Sequence, residues 1–217
     1  MSPKIFAVPL TCTGVRYGRR VSHSDAPAPQ RGRPTVLDRA AIAAATFRLW
    51  SERGYADVGW KDIAEATGVS VRTLVRHFAH KSDIAWLGVP AATRRLRHAL
   101  HEVPDDVPVD DAVRRAIVAS IADDPMTPAG PDWIRVVCSE PELAGTAPTA
   151  YRPWIAELAG FLRERVPGIT PACATAVASG YQAATFAALV SWCGTGSHDR
   201  AADAADEALS WMSVRRG

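Results

Sequence analysis

The stretch that decides the fold is "KDIAEATGVSVRTLVRHFAHKSDI", residues 61–84. It holds two helical pieces, each too short to be stable alone, separated only by "TGV". Ile63 and Ala64 give the first piece, Lys61 to Ala66, an inward face. Gly68 supplies the permissive φ of a tight turn, and Ser70 is placed to N-cap the second piece. In that second helix Val71, Leu74 and Phe78 fall at i, i+3 and i+7, which predicts one face packed on Ile63 and Leu49. Arg72, Thr73, Arg76 and His77 then point outward as a face dense in hydrogen-bond donors. A helix of this width fits the major groove of B-DNA, and a first helix set at a fixed angle braces it there.

Upstream, Thr35 is a candidate N-cap with Asp38 three residues on. The run "RAAIAAATFRLWSERGY" places Ile42, Ala45 and Leu49 on one helical face and stops at Gly54. Residues 1–34 include "SHSDAPAPQRGRP", rich in Pro, small and basic residues and without apolar periodicity, and read as a flexible basic arm. Downstream, helical blocks fall at roughly 82–102, 109–122, 131–139, 149–166, 170–192 and 199–214. The breaks "EVPDDVP", "DDPMTPAGP", "EPELAGTAP", "VPGITP" and "CGTGSHD" read as turns. No segment alternates like a strand and no internal repeat is found. The expected fold is all-α, about nine helices, with a three-helix helix-turn-helix head at 35–81 and a helical ligand-binding and dimerisation body at 82–217.

The run "GYADVGWKDIAEATGVSVRTLVRHFAHKSDI" resembles the DNA-binding signature of TetR-family transcriptional regulators. The likeness covers residues 35 to 86: the first helix, the "RGY" turn, "DIAEATGVS", the "TL..HF" recognition helix and the "KSDI" that follows. The resemblance implies a ligand-responsive regulator, most often a repressor, whose divergent helical body binds a small molecule and dimerises. Its partners would be a double-stranded DNA operator, a second copy of the chain and a small-molecule effector. The DNA-contacting set carried over is Lys61, Ser70, Val71, Arg72, Thr73, Val75, Arg76, His77 and Lys81, with Lys81 as a phosphate holder. Gly59 and Val75 depart from the family pattern, which has Thr or Ser and Tyr at those places, both on phosphates. Arg31 and Arg33 of "RGRP" offer compensation by entering the minor groove beside the bound helix. Binding without a ligand, as an architectural or activating helix-turn-helix protein, is the alternative reading.

The charge distribution agrees with a nucleic-acid partner at one end. Residues 1–85 hold thirteen Lys and Arg against seven Asp and Glu, whereas residues 86–217 hold twelve against sixteen. A basic head for a polyanion and an acidic body follow from the two signs. Cys12, Cys138, Cys173 and Cys193 are widely spaced, have no Cys-x-x-Cys or metal-ligand spacing, and read as reduced thiols. No segment is read as reaching the roughly 18 to 20 apolar residues of a membrane span, and no signal peptide is read, so the expected place is the cytoplasm.

In the body, Trp133, Val137, Cys138, Trp154, Tyr181 and Phe186 lie on different helices; an aromatic-lined pocket and ordinary core packing both explain them, with Cys138 read as buried filler. The block "RVVCSEPEL", then "WIAELAGFLRERV" and "WCGTG", is similar to bodies of the TetR branch with acyl-CoA-like ligands, and makes Arg135 a candidate for an anionic group or a surface ion pair with Glu140. Ala184, Ala188, Trp192, Ala204, Ala208 and Trp211 line the last two helices and could form half of an isologous four-helix interface. No nucleophile elbow, phosphate loop, His-Glu-x-x-His or Cys/His constellation occurs, so no enzyme, cofactor or metal is expected.

Overall fold

The computed structural model describes residues 37–122, 131–195 and 200–213. The arm residues Arg31 and Arg33 and the expected cap Thr35 lie outside them. Among the described residues there are ten α-helices, one 3-10 segment and no strand. The head is α1 (Arg39–Arg53), α2 (Trp60–Thr67) and α3 (Val71–His77), followed by the 3-10 segment Lys81–Trp86. The body is α4 (Val89–Glu102), α5 (Val109–Ala122), α6 (Pro131–Ser139), α7 (Pro141–Ala150), α8 (Arg152–Arg165), α9 (Pro171–Thr195) and α10 (Ala201–Ser210). Leu37–Gly217 groups as one compact unit, with head and body sharing a continuous apolar core.

Capping explains where the head helices begin. Asp38 opens α1, its carboxylate accepting the Ala41 N–H at 2.9 Å. α2 starts at Gly59, which has no hydroxyl to offer; Asp62 reaches back to the Gly59 N–H instead, at 2.8 Å. Ser70 opens α3, its hydroxyl accepting the Thr73 N–H at 3.2 Å. Gly68 sits at φ 68°, a left-handed conformation that a Cβ would disfavour, and so allows the chain to turn from α2 into α3.

Four sequence expectations need correction. The buried stripe of α1 is Ile42, Ala43, Thr46, Phe47 and Trp50, with Ala45 and Leu49 only half-buried at its edge. A stripe of two adjacent rows is wider than the single row chosen from spacing. The expected helix from Ser82 to Glu102 is broken after Trp86, because Pro90 has no N–H for the carbonyl four residues back and instead sits in the first turn of a new helix. "EPELAGTAP" was expected as a turn and is α7: Pro141 occupies the first helical position, where no N–H is needed, and Pro148 falls in the last turn. Leu143 and Ala147, four apart, supply the buried face that stabilises it.

The fourth concerns α9. Pro171–Gly194 is long and apolar enough to cross a membrane by length and composition, with a mean hydropathy of 1.3 over its most apolar window, although no span was expected. Alanine dominates that helix, so its hydropathy is high while each side chain is short. One third of the window is buried within the protomer. The body packs α4 on α5 and α8, α8 on α9, and α10 across α9 and α5.

Candidate nucleic-acid interface and effector cavity

The short α3 is anchored from beneath. Leu74 is fully buried and Phe78 nearly so, with the Arg39 guanidinium 5.4 Å from the Phe78 ring centre. This seats the opposite side of the helix outward, where Arg72, Arg76 and His77 are exposed. The Arg76 Nη2 lies 3.4 Å from His77 Nε2, so the two share one edge of the face. Thr73 is half-buried and its hydroxyl lies 2.9 Å from the Ser70 Oγ, which leaves Thr73 a methyl and a shared hydroxyl to present. Val71 was expected in the core and is 37% exposed; standing at the first turn, it lies beyond the reach of the α2 core. Val75 is 48% exposed, one turn along on the same flank. Lys61 is exposed on α2.

Lys81 has another task than the phosphate contact expected of it. Its ammonium donates to the Tyr55 carbonyl at 2.6 Å and the Val58 carbonyl at 3.0 Å, and lies 3.9 Å from the centre of the Tyr55 ring. It therefore clamps the loop between α1 and α2. The same loop is held from the end of α1 by Arg53, which pairs with Asp62 of α2 at 2.8 Å and donates to the Asp57 carbonyl at 3.2 Å. Asp62 is consequently held below the usual carboxylate range, first by the Gly59 N–H and then by Arg53.

In the body a chain of edge-to-face aromatic contacts runs Phe186–Trp133–Trp86–Tyr151–Trp154, with centroid separations of 6.4, 5.9, 5.9 and 6.5 Å. Both inner indoles are tied: Trp133 donates to the Ala85 carbonyl at 2.5 Å and Trp86 to the Thr146 hydroxyl at 2.8 Å. Beside this chain is a cavity of about 30 Å³ lined by Ala92, Ser120, Tyr151, Trp154, Gln182, Thr185 and Phe186, among others. Its size is that of one water molecule. Burial pushes the Tyr151 hydroxyl above its ordinary pKa.

Of the residues expected at a pocket, Trp154 and Phe186 line the cavity and Trp133 backs Phe186. Val137 and Tyr181 are buried outside the lining. Burial, with Asp110 nearby, pushes the Tyr181 hydroxyl up to about 12, and that hydroxyl has no hydrogen-bond partner. Cys138 is exposed rather than buried filler, because it follows the buried Val136 and Val137 onto the outer side of α6. Arg135 is exposed and does not line the cavity. Tyr151, Gln182 and Thr185 were missed. Tyr151 lay inside a block read as continuous helix, whereas it is the junction between α7 and α8.

The last two helices present a different face from the one expected. Ala188 is buried in its own protomer, so it is withdrawn from the interface set; Ala184, Trp192, Ala204 and Ala208 are half-buried, and Trp211 is 88% exposed. The exposed row of α9 is Ala176, Gly180, Ala183, Ala187 and Val190. This exposed row lies about a quarter-turn from Ala184, Ala188 and Trp192, the row that spacing suggested.

Comparison with known proteins agrees with this architecture. The family description "Bacterial regulatory proteins, tetR family" matches residues 42–85, which run from α1 to the 3-10 segment. A Mycobacterium tuberculosis protein assigned as the mycofactocin biosynthesis transcriptional regulator MftR is 31% identical over 130 residues, covering 59% of this chain and 66% of that protein. The fold is shared with the fatty acid degradation regulator FadR of Bacillus halodurans, at a TM-score of 0.57 and 15% identity over 78% of this chain and 95% of that one. It is shared also with Thermus thermophilus FadR, a TetR-family repressor solved with lauroyl-CoA, at a TM-score of 0.51 and 16% identity over 82% and 97%. The chain belongs to the TetR family of bacterial regulatory proteins.

Proposed function

We propose that the protein is a non-enzymatic, sequence-specific DNA-binding regulator that acts in the cytoplasm as a homodimeric repressor and is released from a pseudo-palindromic operator by a small hydrophobic effector. The observation that carries this is α3: a capped helix pinned by Leu74 and Phe78 that turns Val71, Arg72, Val75 and Arg76 outward. Arg72 is the main base reader, while Arg76, His77 and Lys61 hold phosphates and neighbouring edges. Residues 35–81 form the reading head, 82–217 the effector-binding and dimerising body, and Arg31 and Arg33 of the 1–34 arm enter the minor groove.

The dimer face runs along Ala176, Gly180, Ala183, Ala187 and Val190 of α9 with Trp211 beside α10. Small residues permit close helix approach, and the exposed indole supplies the buried area that alanines lack. The effector enters at the Tyr151–Trp154–Phe186 cavity. An acyl-CoA is the first compound to try, from the likeness of "RVVCSEPEL" and its neighbours to acyl-CoA-responsive bodies and from lauroyl-CoA in a protein of the same fold. At about 30 Å³ the cavity holds no acyl chain, so binding requires its aromatic walls to part.

The deciding experiment is selection of bound duplexes from a random DNA pool, followed by titration of the winner at two salt concentrations. A pseudo-palindromic winner with a steep salt slope is expected; no enrichment overturns the DNA-binding reading. Absence of any interaction with acyl-CoAs at micromolar concentration overturns the effector class alone.

A further inference from the structure

The helix that sequence reasoning took for a turn, α7, is tied at both ends. Toward the head, Glu140 at its N-terminus accepts the Tyr55 backbone N–H at 3.2 Å, and Glu142 accepts the Tyr55 hydroxyl at 2.8 Å. Tyr55 is a head residue, 2% exposed, with its ring edge-on to Trp50 of α1 at 5.1 Å and beneath the Lys81 ammonium. Toward the body, Thr146 on α7 accepts the Trp86 indole N–H at 2.8 Å, and Tyr151 closes α7 while lining the cavity. A helix of ten residues spans about 15 Å, so α7 is a stiff rod between the cavity wall and the loop that sets α1 against α2.

We propose that α7 carries the state of the cavity to the DNA-binding head, with Tyr55 and Glu142 as the positioning residues at its head end. The proposal rests on the effector-responsive reading above. An occupant larger than one water presses on a wall that includes Tyr151, Trp154 and Phe186, and Trp133 and Trp86 stand behind that wall with both indoles already bonded. Tyr151 is continuous with α7, so its displacement moves the rod along its axis. A hydrogen bond weakens steeply once it lengthens by a few tenths of an ångström or bends. The Tyr55–Glu142 contact is therefore the point at which movement of the rod either pulls the head or lets it go. Losing the Glu142 acceptor from this part-buried hydroxyl removes a charge-assisted hydrogen bond, which makes the released state distinct from the bound one.

The test is a double-mutant cycle on the full chain, with cavity-filling substitutions standing in for the effector. Leu189→Phe on α9 fills the cavity, and Ala92→Leu on α4 is a second occupant should the first fail to fold. Each is combined with the native latch, Tyr55→Phe, Glu142→Leu and the conservative Glu142→Gln, which keeps an acceptor oxygen. Operator affinity is measured together with hydrogen exchange at the Tyr55 amide, whose N–H bonds Glu140 and so reports the joint directly.

Cavity filling should weaken operator binding about tenfold, an ordinary allosteric coupling, in the native and Glu142→Gln backgrounds. It should accelerate Tyr55 amide exchange there too. In Tyr55→Phe and Glu142→Leu the same filling should change affinity by less than about twofold, since the latch is already open. An equal loss in all four backgrounds overturns the proposal and sends the signal through another contact. Unchanged affinity and exchange in the native background overturns it as well. Should no operator exist, the DNA-binding reading fails by itself, and the Tyr55 amide alone decides whether the cavity and the head are joined.

Discussion

Replacing Lys81 by Met separates a clamp from a phosphate contact. The native ammonium donates to the carbonyls of Tyr55 and Val58, residues 2% and 0% exposed, and covers the Tyr55 ring at 3.9 Å. A hydrogen bond from a charged donor is worth about 1.5 to 3 kcal/mol net. Lys81 is itself half-exposed, so solvent screening moves the pair of bonds to the lower end, about 2 to 3 kcal/mol together. For a chain of this size that loss lowers Tm by about 5 to 10 °C. Met retains much of the aliphatic stem, so the packing contribution stays small. The assay is thermal unfolding by circular dichroism alongside operator titration over a salt series. The clamp predicts a lower Tm with the salt slope per bound dimer unchanged. A phosphate contact predicts the reverse: Tm within about 1 °C of native and a slope reduced by about 1 per protomer. The second pattern would place Lys81 on a phosphate and remove it from the loop clamp.

Arg72→Ala should weaken operator binding by about 1 to 3 kcal/mol and relax preference at one base pair of each half-site, measured by titration against single-base operator variants. Val75, exposed beside Arg72 and Arg76, should contact a thymine methyl; replacing the contacted thymine by uracil removes only that methyl and should cost about fourfold in affinity, an effect absent in Val75→Ala. Asp62 has a folded pKa below its unfolded one, so its contribution is complete above about pH 4 and is lost as pH falls through the folded value. Asp62→Asn should therefore destabilise the head at neutral pH and flatten the pH dependence of its melting in that acid range. Ala187→Glu, on the exposed row of α9, should yield a folded monomer by light scattering with weakened operator binding; an unchanged dimer would place the interface elsewhere.

The head was legible because its determinants are local. Ser70, Gly68, Leu74 and Phe78 each act within about one helical turn of the residue they position, so spacing sufficed to place α3 and its outward arginines. The carbonyls that Lys81 holds were not legible, for the opposite reason. A cation in a basic head suggests phosphate, and only the folded chain shows two carbonyls, 23 and 26 residues away, waiting for its protons.

In the body, apolar periodicity located most helices but left each helix's neighbours undetermined, because many helix faces are equally able to meet in an alanine-rich bundle. Proline was the ambiguous letter. At Pro141 it opens a helix, while at Pro90 it ends any continuation from the 3-10 segment, and the burial of Leu143 and Ala147 decides the first case. The cavity was legible only in part: Trp154 and Phe186 stood out as aromatics, but which aromatics meet is decided when α8 packs on α9, more than thirty residues apart in sequence. Sequence by itself determined an all-α chain with a DNA-reading head, since those features depend on short-range sterics, capping and patterning. Packing decided which face of α9 remains open, what Lys81 holds and how Tyr55 reaches Glu142, since those depend on contacts between residues far apart along the chain.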